Sequence, residues 1–142
     1  MADNAAIARE YLECFNKRDF NGMRGYLHPE YTYTGGDGQE QQGPDAGIAV
    51  AQMFGNAFSD GQLTIRNAFS VGDTAVVEFT GAGTHDGDLM GIAATGRPFS
   101  IPVCIVAEIR DGKIYSEHEY MDMAHLLGQL GVGAPAGAAA SA

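Results

Sequence analysis

The stretch FSIPVCIVAEIRDGKIYSEHEYM, residues Phe99–Met121, decides the fold because it contains two strand-like runs joined by Asp111 and Gly112. An Asp-Gly pair between two such runs is the strongest local signal for a β-hairpin with a two-residue turn. A turn of this length pairs Arg110 with Lys113. The rest of the pairing then follows by counting outward along both strands.

The counted register assigns a face to each residue of the second strand. His118 and Tyr120 fall opposite apolar residues of the first strand, and Asp122 follows them by parity. Glu117 and Glu119 fall on the other, charged face. The sequence therefore predicts that His118, Tyr120 and Asp122 point into the protein and that both glutamates point outward.

The segments around the hairpin indicate helices first and strands afterwards. Helical spacing of apolar residues predicts helices over 5–17, 20–27 and 45–58, and a short one over 124–130. Alternation predicts strands over 31–34, 63–70, 75–85, 99–110 and 113–121. The Gly-rich stretches 35–44 and 86–98 are expected to be loops. This order favours an α+β fold with helices packed on one face of a curved antiparallel sheet.

Length and composition favour one small-molecule-binding domain. We expect a single domain over residues 1–131 and a disordered Gly/Ala-rich tail over 132–142. Eight Lys and Arg against 18 Asp and Glu give a net charge of −10, which disfavours nucleic acids and anionic membrane surfaces. The start of the chain has no signal-peptide pattern, so we expect a cytoplasmic protein. A neutral, largely apolar ligand suits this composition.

Asp122 is the first candidate for chemistry. It stands in SEHEYMDMAHLLGQLG, residues 116–131, where the predicted strand gives way to a helix. An inward carboxylate loses its hydration, which raises its pKa and suits acid/base catalysis near neutral pH. The same position would also allow Asp122 to cap the helix. Position alone leaves both interpretations open.

Further side chains with hydrogen-bonding groups are expected on the inner face: Tyr33, Asn67, His85 and Tyr120. A lone inward His85 is more often a satisfied core residue than a catalyst. Asn67 is less ordinary, since a buried amide needs partners. His85, His118 and Asp122 have the composition of a two-histidine, one-carboxylate metal site. Their spacing does not support one, so we predict no metal.

Several segments together resemble the SnoaL-like polyketide cyclase family. The resemblance runs from Ile7 to Gly131. It rests on NKRDFNGMRGYLHPEYTY, on GTHDG with ATGRP ten residues later, on RDGKI, and on the aspartate before LLGQLG. Two stretches depart from the family pattern: TYTG stands where many relatives have a pocket histidine, and EYMD replaces a tryptophan-containing stretch. The resemblance implies a nuclear transport factor 2-like (cystatin-like) cone that encloses an apolar pocket.

The resemblance also implies a function. Asp122 matches the family's acid/base aspartate in an intramolecular aldol ring closure, without metal, cofactor or covalent intermediate. His118 and Tyr120 would orient Asp122 or a substrate oxygen, and His85 would hydrogen-bond a substrate carbonyl. The candidate substrate contacts are Tyr33, Asn67, Tyr120, Phe54 and Phe15. A polyketide-like substrate and a homodimer or higher homo-oligomer, formed through the outer sheet face, are expected on the same ground.

Other functions on this fold stay open. Ketosteroid-type isomerisation needs a base facing a tyrosine and a protonated acid, and the predicted faces offer no second inward carboxyl. Epoxide hydrolysis would need an inward arginine, whereas Arg66 and Arg110 are predicted to face outward and Arg97 lies in a loop. A non-catalytic module that binds an apolar ligand, with Asp122 only as a helix cap, is the alternative from another class.

Overall fold

The computed structural model describes residues 3–132, so the predicted disordered tail lies outside the described residues from 133 onward. The helices are α1 (Asn4–Asn16), α2 (Phe20–Gly25), α3 (Pro44–Ala57) and α4 (Met123–Gln129). The strands are β1 (Leu27–Thr34), β2 (Glu40–Gln42), β3 (Gln62–Val71), β4 (Thr74–Thr84), β5 (Pro98–Arg110) and β6 (Lys113–Met121). The predicted α+β class is confirmed. The short strand β2 lies inside a stretch that the sequence predicts to be loop.

The strands form one sheet in the order β2-β1-β6-β5-β4-β3. The pairs from β3 to β6 are antiparallel, as expected. Strand β1 is the exception, because it pairs with β6 in parallel. The prediction of an antiparallel sheet is therefore wrong at this one pairing. The parallel contact places β1 and β6 side by side, and the candidate site is built on their inner face.

Helices α1 and α3 cover the inner face of the sheet. Asp3 caps α1 by accepting a hydrogen bond from the backbone N–H of Ala5. The apolar stripe of α1 then packs into the core: Ile7, Ala8, Tyr11, Leu12 and Phe15. The longest helix, α3, has 14 residues. Within residues 3–132, no helix has both the length and the apolar character needed to cross a membrane.

The hairpin contains a bulge in β6 that the alternating sequence pattern does not reveal. Asp111 and Gly112 both have positive φ, at 55° and 72°, and form the predicted two-residue turn. Ile109 pairs with Ile114 as counted, but the next pair along β5 is Glu108 with Ser116, so β6 holds one extra residue. One extra residue reverses the face of every residue that follows it. The predicted faces from Ser116 to the end of β6 are therefore wrong.

A second bulge has the same effect in β3. Ile65 pairs with Phe79, but Asn67 pairs with the next residue, Glu78, which leaves Arg66 as the extra residue. Asn67 consequently faces outward, where its side-chain amide donates a 3.3 Å hydrogen bond to Glu78. The predicted inward position of Asn67 is wrong for the same physical reason.

Candidate active site

An apolar cavity lies between the inner face of the sheet and the helices α1, α3 and α4. It contains about 800 Å³ of space free of protein atoms, its open mouth included. Aromatic and aliphatic side chains form most of its wall, among them Phe15, Phe54, Phe58, Phe79 and Phe99. Three ionisable side chains, one on β1 and two on β6, interrupt the apolar wall of the cavity: Tyr33, Glu117 and Glu119.

Glu117 is the more deeply buried carboxyl group, with 4% of its surface exposed. It faces the cavity because the β6 bulge turns it inward. The hydroxyl of Tyr31, which is fully buried on β1, donates a 2.6 Å hydrogen bond to its Oε1. Tyr11 from α1 also interacts with Tyr31 and Glu117. Glu117 thus has phenol neighbours from two different elements, as a buried polar group requires.

Glu119 lies two residues further along the same face of β6 and is partly buried. The hydroxyl of Tyr33 donates a 2.6 Å hydrogen bond to its Oε1. Glu119 also lines a second, smaller cleft beside the Gly-rich segment 34–38. Glu119 therefore faces the apolar cavity on one side and the smaller cleft on the other.

Burial and mutual repulsion set the protonation of this pair. Loss of hydration, followed by the negative charge of Glu119, raises the pKa of Glu117 to about 7, against hydrogen bonds from Tyr31 and Tyr11 that lower it. Burial also raises the pKa of Glu119, while the bond from Tyr33 opposes this shift. Because Glu119 is the more exposed of the two, it ionises first. Its charge then keeps the proton on Glu117.

Three of the four aromatic side chains expected to contact substrate lie in the cavity wall. Tyr33, Phe15 and Phe54 all line the cavity. Burial on the inner face raises the pKa of Tyr33 far above its ordinary value, with the charge of Glu119 as the second cause. Tyr33 is therefore a neutral hydrogen-bond donor at every pH at which the protein is expected to work.

His118 and Tyr120 lie on the outer face, so their predicted inward orientation is wrong. Tyr120 is 58% exposed, and the two rings stack on each other with centroids 6.5 Å apart. The cause is the bulge in β6, which exchanges them with Glu117 and Glu119. Neither His118 nor Tyr120 lies in the wall of the main cavity.

Asp122 is exposed at the start of α4 rather than desolvated on an inner face. Its carboxylate accepts a 3.0 Å hydrogen bond from the backbone N–H of His125, which makes it the N-cap of the helix. The structure therefore shows the capping geometry that was one of the two interpretations of this residue. The expectation of a dry, inward Asp122 is wrong.

His85 is fully buried, as its parity predicts, but it lies behind the cavity wall. Its Nδ1 accepts from the backbone N–H of Thr95, at 3.2 Å, and lies 3.0 Å from that residue's hydroxyl. Its ring packs against the cavity-lining Phe58 with centroids 5.6 Å apart. Its Nε2 has no hydrogen-bond partner among residues 3–132. Within the same residues, no three His, Cys, Asp or Glu side chains are placed to hold a metal ion.

Glu117 and Glu119 are not among the site residues that the alternating pattern predicts. One signal could have found them. Tyr31 and Tyr33 share a face of one strand, and the two glutamates show the same spacing of two on another. Two phenols and two carboxyls at equal spacing form matching donor and acceptor pairs when their strands are neighbours.

A cone of helices packed on a curved sheet around a cavity is the architecture of the nuclear transport factor 2-like fold. A protein from Catenulispora acidiphila with a ketosteroid isomerase-like fold matches this structure with a TM-score of 0.76. It is 19% identical, and the match covers 89% of this chain and 92% of that one. The predicted fold is thereby confirmed.

The family model of the SnoaL-like polyketide cyclases matches residues 5–130, and the chain belongs to this family. Two relatives are aklanonic acid methyl ester cyclases: AcmA from Streptomyces galilaeus, 27% identical over 133 residues, and DnrD from Streptomyces peucetius, 28% identical over 134. Each match covers 92% of this chain and 92% of the relative. The prediction of an enzyme of the polyketide cyclase type is confirmed.

Proposed function

We propose that this protein closes a ring in a neutral polyketide-like ester or ketone by an intramolecular aldol reaction, with Glu119 as the acid/base group and without a cofactor. The observation that carries the proposal is the position of the Glu119 carboxyl in an otherwise apolar cavity, with one oxygen held by Tyr33. The relatives named as methyl ester cyclases support the reaction class.

The chemistry requires one group that takes a proton and later returns it. Glu119 in its carboxylate form removes a proton from the carbon beside a carbonyl group. The resulting enolate attacks a ketone carbon of the same molecule, and the protonated Glu119 gives its proton to the new alkoxide. Acid/base catalysis of this kind contributes typically about 10²–10⁴ in rate, most effectively when the group's pKa is near the working pH. The raised pKa of Glu119 suits that role.

The cavity supplies orientation. Its aromatic wall offers flat apolar surfaces from both the helices and the sheet, including Phe54, Phe58 and Phe99. A flexible chain that is held folded between such surfaces reacts faster, because the two reacting carbons no longer have to find each other.

We assign the acid/base role to Glu119 in place of Asp122. The Asp122 carboxylate is exposed and already bonded to the first turn of α4, so it has neither the dry surroundings nor a place in the cavity wall. Glu119 has both. This assignment keeps the expected reaction and changes the residue that performs it.

Two isosteric variants test the assignment. Purified wild type, Glu119→Gln and Asp122→Asn are incubated with an aromatic polyketide methyl ester that carries a free ketone, and cyclised product is followed by chromatography. We expect Glu119→Gln to lose at least about a hundredfold in rate and Asp122→Asn to remain close to wild type. A large loss in Asp122→Asn together with an active Glu119→Gln would return the role to Asp122.

Isomerisation of a ketosteroid-like substrate is the second candidate. The observation that favours it is the second inward carboxyl, Glu117, which the sequence analysis did not expect. A base, a protonated acid and a tyrosine facing one cavity are the groups that this reaction needs. Conversion of a Δ5-3-ketosteroid to its Δ4 isomer, followed by ultraviolet absorbance, would favour isomerisation over ring closure.

We also propose that the outer face of the sheet forms a homodimer. Four half-buried or exposed side chains make an apolar strip there across β4, β5 and β6: Val76, Cys104, Val106 and Tyr120. Sedimentation of wild type and of Val106→Lys tests this, since a lysine in the strip should yield monomers. A monomeric wild type at micromolar concentration would rule it out.

A further inference from the structure

We propose that the side chain of Glu117, in its acid form, hydrogen-bonds the carbonyl oxygen of the substrate while Glu119 removes the neighbouring proton. This inference rests on the proposed function of Glu119. It adds a second catalytic residue, one that touches the reacting group from the other side. It also restricts the substrate to a molecule with a neutral carbonyl group at its reacting end.

The backbone geometry brings both carboxyls to one reacting group. Glu117 and Glu119 lie two residues apart on the same face of β6, which separates their Cα atoms by roughly 7 Å. Both line the cavity. The hydrogen that is removed and the carbonyl oxygen are attached to adjacent carbon atoms of the substrate. Two long side chains converging from such a spacing can therefore reach both at once.

The contacts of Glu117 hold it in place and leave it without a counter-charge. From β1, Tyr31 donates to its Oε1, and Tyr33, two residues further along the strand, is its cross-strand partner. From α1, Tyr11 is the facing titratable group. From β5, its cross-strand partner is the apolar Ala107. The residues of α3 in the cavity wall are uncharged.

The wall of the cavity within the described residues contains no Lys, Arg or His. Two ionised carboxylates side by side in such a place would repel each other with no cation to compensate them, so one of the two keeps its proton until the pH approaches neutrality. Glu117 is the more buried, and it is the one that keeps it. A buried O–H group that faces an apolar cavity has a hydrogen bond to offer an incoming oxygen.

The step balances without any further reactant. Glu119 takes the hydrogen as a proton, the electron pair of the C–H bond forms the enolate double bond, and the carbonyl pair moves onto oxygen. The Glu117 O–H strengthens its hydrogen bond to this oxygen as charge develops but keeps its proton. When the π pair of the enolate forms the new bond to the ketone carbon, the first carbonyl group re-forms, and the π pair of the ketone moves onto its oxygen to give an alkoxide. Glu119 protonates it, and the product has the atoms of the substrate.

The proton-removal step can be measured apart from ring closure. The probe is 2-tetralone, a flat neutral ketone that has no second carbonyl group for its enolate to attack. Deuterium uptake beside its carbonyl in D₂O is followed by NMR, with the buffer rate subtracted. Wild type, Glu119→Gln, Glu117→Gln and Glu117→Met are compared between pH 5 and 9. Glu13→Gln, an exposed carboxyl on α1, is the matched control.

We expect wild-type exchange to fall as pH rises through about 7, where Glu117 loses its proton. Glu117→Gln keeps a donor that does not titrate, so exchange continues and the fall disappears. Glu117→Met has no donor and should lose about 10²–10³ in kcat, the usual effect of removing such a group. Glu119→Gln should be inactive and Glu13→Gln unchanged.

Other outcomes would overturn either proposal separately. If both Glu117 variants stay within about twofold of wild type with its pH profile, while Glu119→Gln is inactive, the donor role of Glu117 is wrong and the proposed function stands. If wild type does not accelerate exchange at any pH, both are wrong. Should Glu117→Met fail to fold, as judged by circular dichroism, the pH profile of Glu117→Gln decides.

Discussion

Tyr31 donates a 2.6 Å hydrogen bond to Glu117 across 86 residues of sequence, between two side chains that are both buried. Tyr33 and Glu119 repeat the relationship at the same distance and the same separation in sequence. The repetition follows from the parallel pairing of β1 with β6, since parallel strands advance together. The acids of the cavity are therefore held in place by the pairing of two neighbouring strands.

The buried Glu117 should make the stability of the protein fall as pH rises. Its pKa is about 7 in the folded protein and 4.5 as its ordinary value, so between these values the folded state binds more protons than the unfolded state. The free energy of unfolding then decreases with pH over that range and levels off above it, by about 3 kcal/mol from this group. Urea unfolding of wild type at pH 5, 6, 7 and 8 measures it.

Glu117→Gln is the control for this slope. It keeps an acceptor for Tyr31 and removes the titration, so its stability relative to wild type should increase from pH 5 to pH 7. Asp60 and Asp86 do not interfere, because backbone and side-chain hydrogen bonds lower their pKa values and place their effects at more acidic pH. Parallel curves for the two proteins would show that Glu117 is not desolvated.

Tyr33→Phe should shift the acid side of the pH–rate profile to higher pH. The Tyr33 hydroxyl stabilises the ionised form of Glu119 and lowers its pKa, so its removal raises that pKa further. Because Glu119 must be ionised to act as the base, the pH at which activity reaches half its maximum rises. The deuterium exchange assay described above measures it. An unchanged acid limb would mean that another group controls the reaction.

Much of the fold could be predicted because local patterns specify it. The Asp111-Gly112 turn is encoded by two adjacent residues that accept positive φ. The helix α1 follows from the spacing of residues such as Ile7, Tyr11 and Phe15. The parallel pairing of β1 could not be predicted, because it depends on a contact between segments about 85 residues apart.

The candidate site could not be predicted correctly because alternation fixes a face only until a bulge interrupts it. In SEHEY, both possible faces contain polar residues, so hydrophobicity does not choose between them. The bulge at Tyr115 turns Glu117 and Glu119 to the inner face. Nothing local marks this position as a bulge, and the charge of the glutamates argues for the outer face. Burial of an acid beside a tyrosine is a tertiary effect.

Asp122 should contribute to stability as a helix cap. Asp122→Ala removes the acceptor for the His125 N–H and should lower the free energy of unfolding by about 0.5–2 kcal/mol. Asp122→Asn should stay close to wild type, since asparagine caps nearly as well. Thermal unfolding of the three proteins measures both effects. Equal losses in both variants would point to a requirement for the charge itself.

Gly47 of α3 should resist any side chain, because the ring of Tyr31 occupies the space. A Cβ atom at position 47 would lie 2.6 Å from Cε2 of Tyr31, so the ring that bonds Glu117 would have to shift. We expect Gly47→Ala to lower stability by about 1–3 kcal/mol, as overpacking does. It should also raise the pKa of Glu117, because the hydrogen bond from Tyr31 lowers it.

Gly25 is the matched control for this substitution. It also lies in a helix, and a Cβ atom there would meet no other atom within 4 Å. Gly25→Ala should therefore be neutral or stabilising by up to about 1 kcal/mol. A stable Gly47→Ala protein with an unchanged Glu117 titration would show that Tyr31 has room to adjust.

Gln129 should hold α4 against β5, because its side-chain amide bonds backbone groups of β5 that a neighbouring strand would otherwise bond. The last pair between β5 and β6 is Val103 with Met121, so the backbone of Ser100 lies beyond the end of β6. The side chain of Gln129 makes hydrogen bonds to both of these backbone groups: it accepts from the Ser100 N–H at 2.7 Å and donates to the Ser100 carbonyl at 3.0 Å. Leu126 of the same helix lines the cavity. Gln129→Ala should therefore lower stability by about 1–3 kcal/mol, the loss of two hydrogen bonds, and loosen this part of the cavity wall.

Amide hydrogen exchange at Ser100 separates these contacts. Gln129→Ala should abolish protection of the Ser100 N–H, whereas Gln129→Glu keeps an acceptor for it and should retain protection. Gln129→Glu cannot donate to the Ser100 carbonyl, so it should still lose part of the stability. If protection at Ser100 survives in Gln129→Ala, the helix is held by Leu126 and Leu130 in the core, and the side-chain amide of Gln129 is dispensable.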